Sequence, residues 1–158
     1  MKRTQGCGTL RETHVGNEVV LNGWVAARHD HGSVVFLNLR DRSGLVQVTF
    51  DERAAEGLQA AIEGVRNEFV LAVRGTVEAR DKKNVNPNLE TGGVEVVPTA
   101  VEILNASEPV PFPIMHSSKK GTGEVSEEVR LQYRYLDLRR EEMSTRLRLR
   151  SEVTTAIR

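Results

Sequence analysis

Between Glu18 and Leu104, apolar and polar residues alternate in short runs separated by turn-forming residues, the pattern of half-buried strands. Glu18–Arg28, with Val19, Val20, Leu21, Trp24 and Val25, reads as a first strand. Val34–Arg40 is a second, Asp41-Arg42-Ser43-Gly44 supplies a tight turn, and Leu45–Phe50 is the third. The period then changes. Ala54, Leu58, Ala61 and Ile62 recur at helical spacing, which predicts a short helix over Arg53–Gly64. Phe69–Arg80 returns to strand, with Gly75 as a bend or bulge. Asp81–Gly93 is a polar loop, and Val94–Leu104 is the fifth strand.

Three strands, a helix and two further strands predict a mainly β fold: a five-stranded OB-fold barrel with its helix between strands three and four. A small barrel of the SH3 type is the alternative, and it normally lacks that helix. After Leu104 the pattern gives way to Pro109, Pro111 and Pro113, then Ser117-Ser118-Lys119-Lys120-Gly121, which reads as a linker or hinge. From Ser126, a suitable N-cap, the chain turns helical. Leu131, Tyr135 and Leu138 fall at i, i+4 and i+7, and Leu147, Val153 and Ile157 continue an apolar stripe. No stop signal follows Ile157, so the expectation is that the rest of a second domain lies beyond Arg158.

Composition adds exclusions. Apolar residues make up 39% of the 158 and charged residues 28%, a globular balance. No apolar run approaches the ~20 residues that span a membrane, and Met1–Gly6 has no apolar stretch behind Lys2 and Arg3, so no secretory signal is read. Cys7 is the only cysteine, which rules out an internal disulfide and points to a reducing, cytoplasmic setting. Net charge is formally zero, so any nucleic-acid partner must be read by a local patch.

Alternation on strands two and three supplies the candidate site. Val35, Leu37, Leu39, Val46, Val48 and Phe50 belong in the core, which leaves Phe36, Asn38, Arg40, Gln47 and Thr49 on the outer face of one hairpin. If the turn closes between Arg40 and Leu45, Phe36 lies opposite Thr49 and diagonal to Gln47. An outward aromatic beside amides suits a single-stranded base: it offers a stacking platform and groups that bond a base edge. An exposed Phe packed under a loop is the alternative.

Other motifs carry less. His29-Asp30-His31 lacks a third metal ligand at a supporting spacing and reads as a solvated loop. His14-Val15-Gly16-Asn17 sits in no nucleotide-binding βαβ pattern. Lys119-Lys120-Gly121-Thr122-Gly123 does not match a P-loop, so a hinge is the better reading. Glu127-Glu128 and Glu141-Glu142 read as solvated helix faces. No catalytic residues and no metal site are expected.

The residues resemble one family over essentially the whole chain. Gly23-Trp24-Val25, Phe36 through Val48, Arg66-Asn67-Glu68-Phe69-Val70, Asn84 through Val96, and Arg134-Tyr135-Leu136-Asp137-Leu138-Arg139 are collinear with bacterial aspartyl-tRNA synthetases, which are class II enzymes. Class II lysyl-tRNA synthetases share part of this layout, but Arg139 and the loop from Asn84 to Glu95 favour the aspartyl branch.

The resemblance implies an anticodon-binding OB-fold over residues 1–105, a hinge over 106–140 and the start of a catalytic domain over 141–158. It implies that Phe36 stacks on the central uridine of the anticodon, that Gln47 bonds its edge, and that Glu95 reads the first-position guanine. Arg28, Arg80, Asn84 and Asn86 would contact the third base or nearby backbone, and Asn38, on the outer face of the hairpin, is a further RNA-binding candidate. The implied parent joins aspartate to tRNA-Asp using ATP and Mg²⁺, as a homodimer. The fragment itself would bind tRNA without catalysis and without a cofactor. One departure stands out: Ala26-Ala27-Arg28-His29-Asp30-His31-Gly32 carries fewer positive charges than the corresponding segment of many relatives. Some members of the family charge both aspartate and asparagine tRNAs. A free-standing OB module binding single-stranded nucleic acid, or a lysyl-type fragment, are the rival readings.

Overall fold

The alternating runs become five strands in the computed structural model, which describes residues 1–115 and 125–158. They are β1 (Glu18–Asp30), β2 (Val35–Asp41), β3 (Gly44–Phe50), β4 (Val70–Ala79) and β5 (Val94–Asn105). The chain divides into two compact units, Met1–Pro109 and Val110–Arg158.

In the first unit the strands close into a barrel in the order β1-β2-β3-β5-β4, with β4 returning to β1. All neighbours are antiparallel except β3 and β5, which meet in parallel at Val48 and Val96. β1 serves two partners. Glu18–Trp24 pairs with β4, Trp24–Asp30 pairs with β2, and a register shift between Val25 and Ala27 lets the strand bend from one to the other. Inward residues are those the alternation selects: Leu21, Val25, Leu37, Leu39, Val46, Val48, Phe50, Leu71, Val73 and Val96 are fully buried. Gly75 sits where the β4–β5 register shifts, and a Cβ there would lie 2.3 Å from the Val97 carbonyl oxygen, so the bend expected at this glycine is present.

The helix between β3 and β4 is present but shorter than its apolar spacing suggests. α1 spans only Leu58–Ala61. Upstream, the Asp51 carboxylate accepts from the Arg53 backbone N–H at 2.9 Å, a local turn that competes with helix. Gly57, at φ 80°, then opens α1. Ile62 and Val65, just past α1, provide the burial, whereas Ala61 stays exposed.

The second unit has a small apolar cluster of Phe112, Ile114 and Leu136, flanked by Val110, Val125, Val129 and Tyr133. Three helices follow: α2 (Glu127–Gln132), α3 (Arg134–Asp137) and α4 (Glu141–Ile157). Ser126 caps α2, its Oγ accepting from the Val129 N–H at 3.4 Å. The single stripe expected through Leu131 and Tyr135 does not form, and these residues are 60% and 66% exposed. Tyr133, at φ −108° and ψ 47°, breaks the helix and resets its phase, so Val129, Tyr133 and Leu136 face the cluster instead. The Asp137 side chain is fully buried and receives Arg130 at 2.9 Å, Arg134 at 2.6 Å and Arg140 at 3.6 Å. Hydrogen bonding from Arg130, backed by the other two cations, holds the Asp137 carboxyl below the usual carboxylate range. No helix among the described residues is long and apolar enough to cross a membrane. The hinge signals at Ser117–Gly121 and the Lys119–Gly123 motif lie outside the described residues.

Candidate nucleic-acid interface

The β2–β3 hairpin has the register expected from the turn: Phe36 faces Thr49, Asn38 faces Gln47, and Arg40 faces Leu45. Not all of its outer face is open. Arg40 is buried, its Nη2 donating to Glu68 Oε1 at 2.9 Å and Oε2 at 2.7 Å, and Thr49 is only 2% exposed. Both were expected on the outer surface. The barrel covers them with residues from β5 and the β4 approach, which alternation within one hairpin does not reveal. Phe36, Asn38 and Gln47 remain half-exposed.

Across the sheet, β5 brings Glu95 beside this hairpin. Its Oε2 accepts from Thr49 Oγ1 at 2.7 Å and from Gln47 Nε2 at 3.2 Å, and its Oε1 accepts from Arg53 Nη2 at 2.8 Å. Arg53 is shared: Nη1 also donates to Glu78 at 2.6 Å, and Nε donates to both oxygens of Asp51. Hydrogen bonds donated to Asp51 hold the Arg53 guanidinium above its ordinary value, and the same contact keeps Asp51 below the usual carboxylate range. One arginine thus sits among three carboxylates, which keeps a negatively charged pocket floor from repelling itself.

Two adjoining depressions of about 270 and 390 Å³ share Phe36, Arg80, Asn84 and Glu95. The larger also takes in Asn38, Gln47 and Asn86, so every expected contact residue except Arg28 lines one surface hollow. Arg80 donates through Nε to the Val94 carbonyl at 3.0 Å, while its Nη2 is buried and has no hydrogen-bond partner among the described residues. Burial lowers the Arg80 guanidinium from its ordinary value, and the Glu95 charge opposes that shift. A desolvated donor of this kind in a hollow favours an acceptor arriving from outside.

Arg28 has other work. Its Nη1 donates to the carbonyls of Ile62, Glu63 and Val65 just after α1, and its Nη2 donates to Asp30 at 3.1 Å. The neighbouring histidines do face the hollow. His29, expected in a loop, lies on β1 opposite Phe36, and the His31 ring meets Phe36 edge-on at 5.8 Å.

Asn84 and Asn86 are presented by the Asp81–Gly93 loop. The Asn86 N–H donates to the Gly92 carbonyl at 3.1 Å, and Asn86 Oδ1 accepts from the Asn88 N–H at 3.0 Å. A Cβ on Gly92 would fall 1.8 Å from the Asn86 carbonyl oxygen. Gly92→Ala is therefore expected to displace the loop and weaken single-stranded RNA binding by about three- to tenfold, while the barrel melts almost unchanged. Parallel anisotropy and thermal melts check this.

Arg53, Asp51 and Glu78 are the residues that sequence reasoning missed. The signal was available in part. Carrying the β3 alternation one step past Phe50 puts Gln47, Thr49 and Asp51 on one side, and the same step on β4 adds Glu78.

Comparison with known proteins agrees with the barrel fold. Residues 19–104 match the tRNA-anticodon family, described as an OB-fold nucleic acid binding domain. The chain is 46% identical over 156 residues to the aspartate–tRNA(Asp/Asn) ligase of Bacillus subtilis (strain 168), and 49% identical over 158 residues to the aspartate–tRNA ligase of Listeria monocytogenes serotype 4a (strain HCC23). Each alignment takes in 99% of this chain but only 26% of the ligase, so the chain spans about a quarter of these relatives. Asparaginyl-tRNA synthetase from Pyrococcus horikoshii superposes with a TM-score of 0.76 at 26% identity, covering 95% of this chain and 33% of that one.

Proposed function

The chain belongs to the OB-fold nucleic acid binding domain family of tRNA-anticodon type, and from that premise we propose that it is the anticodon-reading region of an aspartate–tRNA ligase. The observation that carries the reading is the gathering of Phe36, Asn38, Gln47, Arg80, Asn84, Asn86 and Glu95 around one hollow. In this proposal the central uridine stacks on Phe36 and meets the Gln47 amide, which offers one donor and one acceptor to match the uracil edge. Glu95 accepts from the two N–H donors of a first-position guanine. Arg80 Nη2, with no partner among the described residues, takes a phosphate or base acceptor, and Asn38, Asn84 and Asn86 line the path of the adjoining nucleotides. Arg28 contributes by fixing the turn after α1, with backbone contact as a second role.

Residues 1–105 would form the anticodon domain, 106–140 the hinge and 141–158 the first helix of a catalytic domain. The exposed Leu147, Val153 and Ile157 on α4 suit such packing. The whole ligase would be a cytoplasmic homodimer that activates aspartate with ATP and Mg²⁺ and transfers it to tRNA-Asp. ATP and Mg²⁺ would be handled by the three quarters of the relatives that this chain does not span. This chain would bind and orient the anticodon loop without catalysing transfer.

Fluorescence anisotropy with labelled anticodon stem-loops bearing GUC, GUU and UUU, at fixed salt, tests the reading. Preference for GUC over UUU is expected. Equal binding of GUC and GUU would assign the dual specificity carried in the name of the Bacillus relative. Preference for UUU would transfer the chain to the lysyl branch, and equal binding of all three would leave a generic single-strand binder.

A further inference from the structure

The side chains assigned above to the central and first bases are bonded to each other in the free chain. Gln47 Nε2 has two hydrogens, and it meets Thr49 Oγ1 at 3.2 Å and Glu95 Oε2 at 3.2 Å. This orientation of the amide is required, because the opposite one would set its carbonyl oxygen against a carboxylate, which has only acceptors. Glu95 is also nearly full. A carboxylate has about four acceptor positions, and Thr49 and Gln47 take two on Oε2 while Arg53 takes one on Oε1. One position is left for a guanine edge that brings two donors.

We propose that the Gln47–Glu95 hydrogen bond links the two base subsites, so that filling either one raises the affinity of the other. The inference rests on the reading above that Gln47 meets a uridine and Glu95 a guanine. Guanine can place both donors on Glu95 only if Gln47 lets go. Alone, that exchange leaves an amide N–H without an acceptor. With uridine present, the released N–H turns to a uracil carbonyl, while Gln47 Oε1 accepts from the uracil N3–H. Every donor then has an acceptor, and Glu95 keeps one open position on each oxygen for guanine.

The carboxylate does not follow Gln47, because Arg53 holds Oε1 and the buried Thr49 hydroxyl holds Oε2. Arg53 is itself fixed by Asp51 and Glu78. It therefore acts as a positioning residue for Glu95 rather than as a loose cation for phosphate. Linkage requires the effect to be reciprocal: guanine strengthens uridine by the factor with which uridine strengthens guanine.

The test is a cycle of four anticodon stem-loops on the full chain at fixed salt. Guanosine or inosine occupies the first position, and uridine or its apolar difluorotoluene isostere occupies the second. Inosine removes one donor from the first base, and the isostere keeps the ring shape while removing the central hydrogen bonds. The expected result is that guanosine-to-inosine costs roughly fivefold more beside uridine than beside the isostere. In Gln47→Met that difference should vanish while the fold melts normally. Independent, multiplicative losses in the unmodified chain would overturn the link, and so would a coupling that persists in Gln47→Met, since it would then arise within the RNA. If the unmodified chain prefers neither guanosine nor uridine at all, the anticodon reading itself fails and the link falls with it.

Discussion

Phe36→Ala is expected to lower the affinity for a GUC stem-loop by about ten- to a hundredfold, because a stacked base contributes roughly 1–3 kcal/mol. Phe36 is half-exposed on the outer face of β2, where it lines both hollows. Its neighbours on that face are His31, edge-on, and Thr49 across the ladder, so its removal opens no cavity in the barrel core. Stability should therefore change by less than about 1 kcal/mol. Phe36→Tyr should keep most of the affinity, since the ring is what stacks. Anisotropy and urea melts on the three chains separate the effects. Unchanged binding in Phe36→Ala would remove stacking from the site, whereas a large loss of stability would mean that Phe36 serves the fold.

Arg40→Met should show the reverse: a loss of about 3–5 kcal/mol in stability, with base preference retained in whatever fraction stays folded. The Arg40 and Glu68 side chains are only 11% and 8% exposed, and one guanidinium nitrogen meets both carboxylate oxygens. Removing the cation strips that compensation from a buried charge at a demanding place. Glu68 has φ 68°, its N–H bonds the Val25 carbonyl at 2.7 Å, and the Val25 N–H bonds Phe69 at 2.9 Å. This pair of bonds ties the approach to β4 onto β1. Trp24, the only tryptophan, sits opposite Arg40 in the β1–β2 ladder and so reports the unfolding by its fluorescence. Adding Glu68→Gln to Arg40→Met should recover part of the loss, because a neutral amide costs less to bury than a carboxylate. A change below about 1 kcal/mol in Arg40→Met would show that the pair contributes little.

These two neighbours on one strand face, Phe36 and Arg40, mark where local pattern stops being informative. Both are outward by alternation. Phe36 stays accessible, whereas Arg40 is covered by a residue 28 positions later. The same division runs through the interface. Phe36 opposite Thr49 and Asn38 opposite Gln47 follow from strand period and turn length alone. The Glu95 assembly does not follow, because it joins Gln47, Thr49 and Arg53 to a residue more than forty positions away. Arg28 was legible as a basic residue near the site, but its capture by three carbonyls beyond α1 was not.

By itself the sequence determined the five strands, the short helix between β3 and β4, the hairpin register and the identity of the residues that face outward. Each of these is set within a few residues, by a period of two, a turn or a cap. Only the tertiary structure decided how long that helix is, where the helical phase resets at Tyr133, which outward residues are then covered, and which charges meet. The covering of outward residues and the meeting of distant charges depend on barrel closure, which brings strands far apart in sequence within hydrogen-bond reach. The reset at Tyr133 belongs instead to the second unit, where the cluster of Phe112, Ile114 and Leu136 selects the buried helical face.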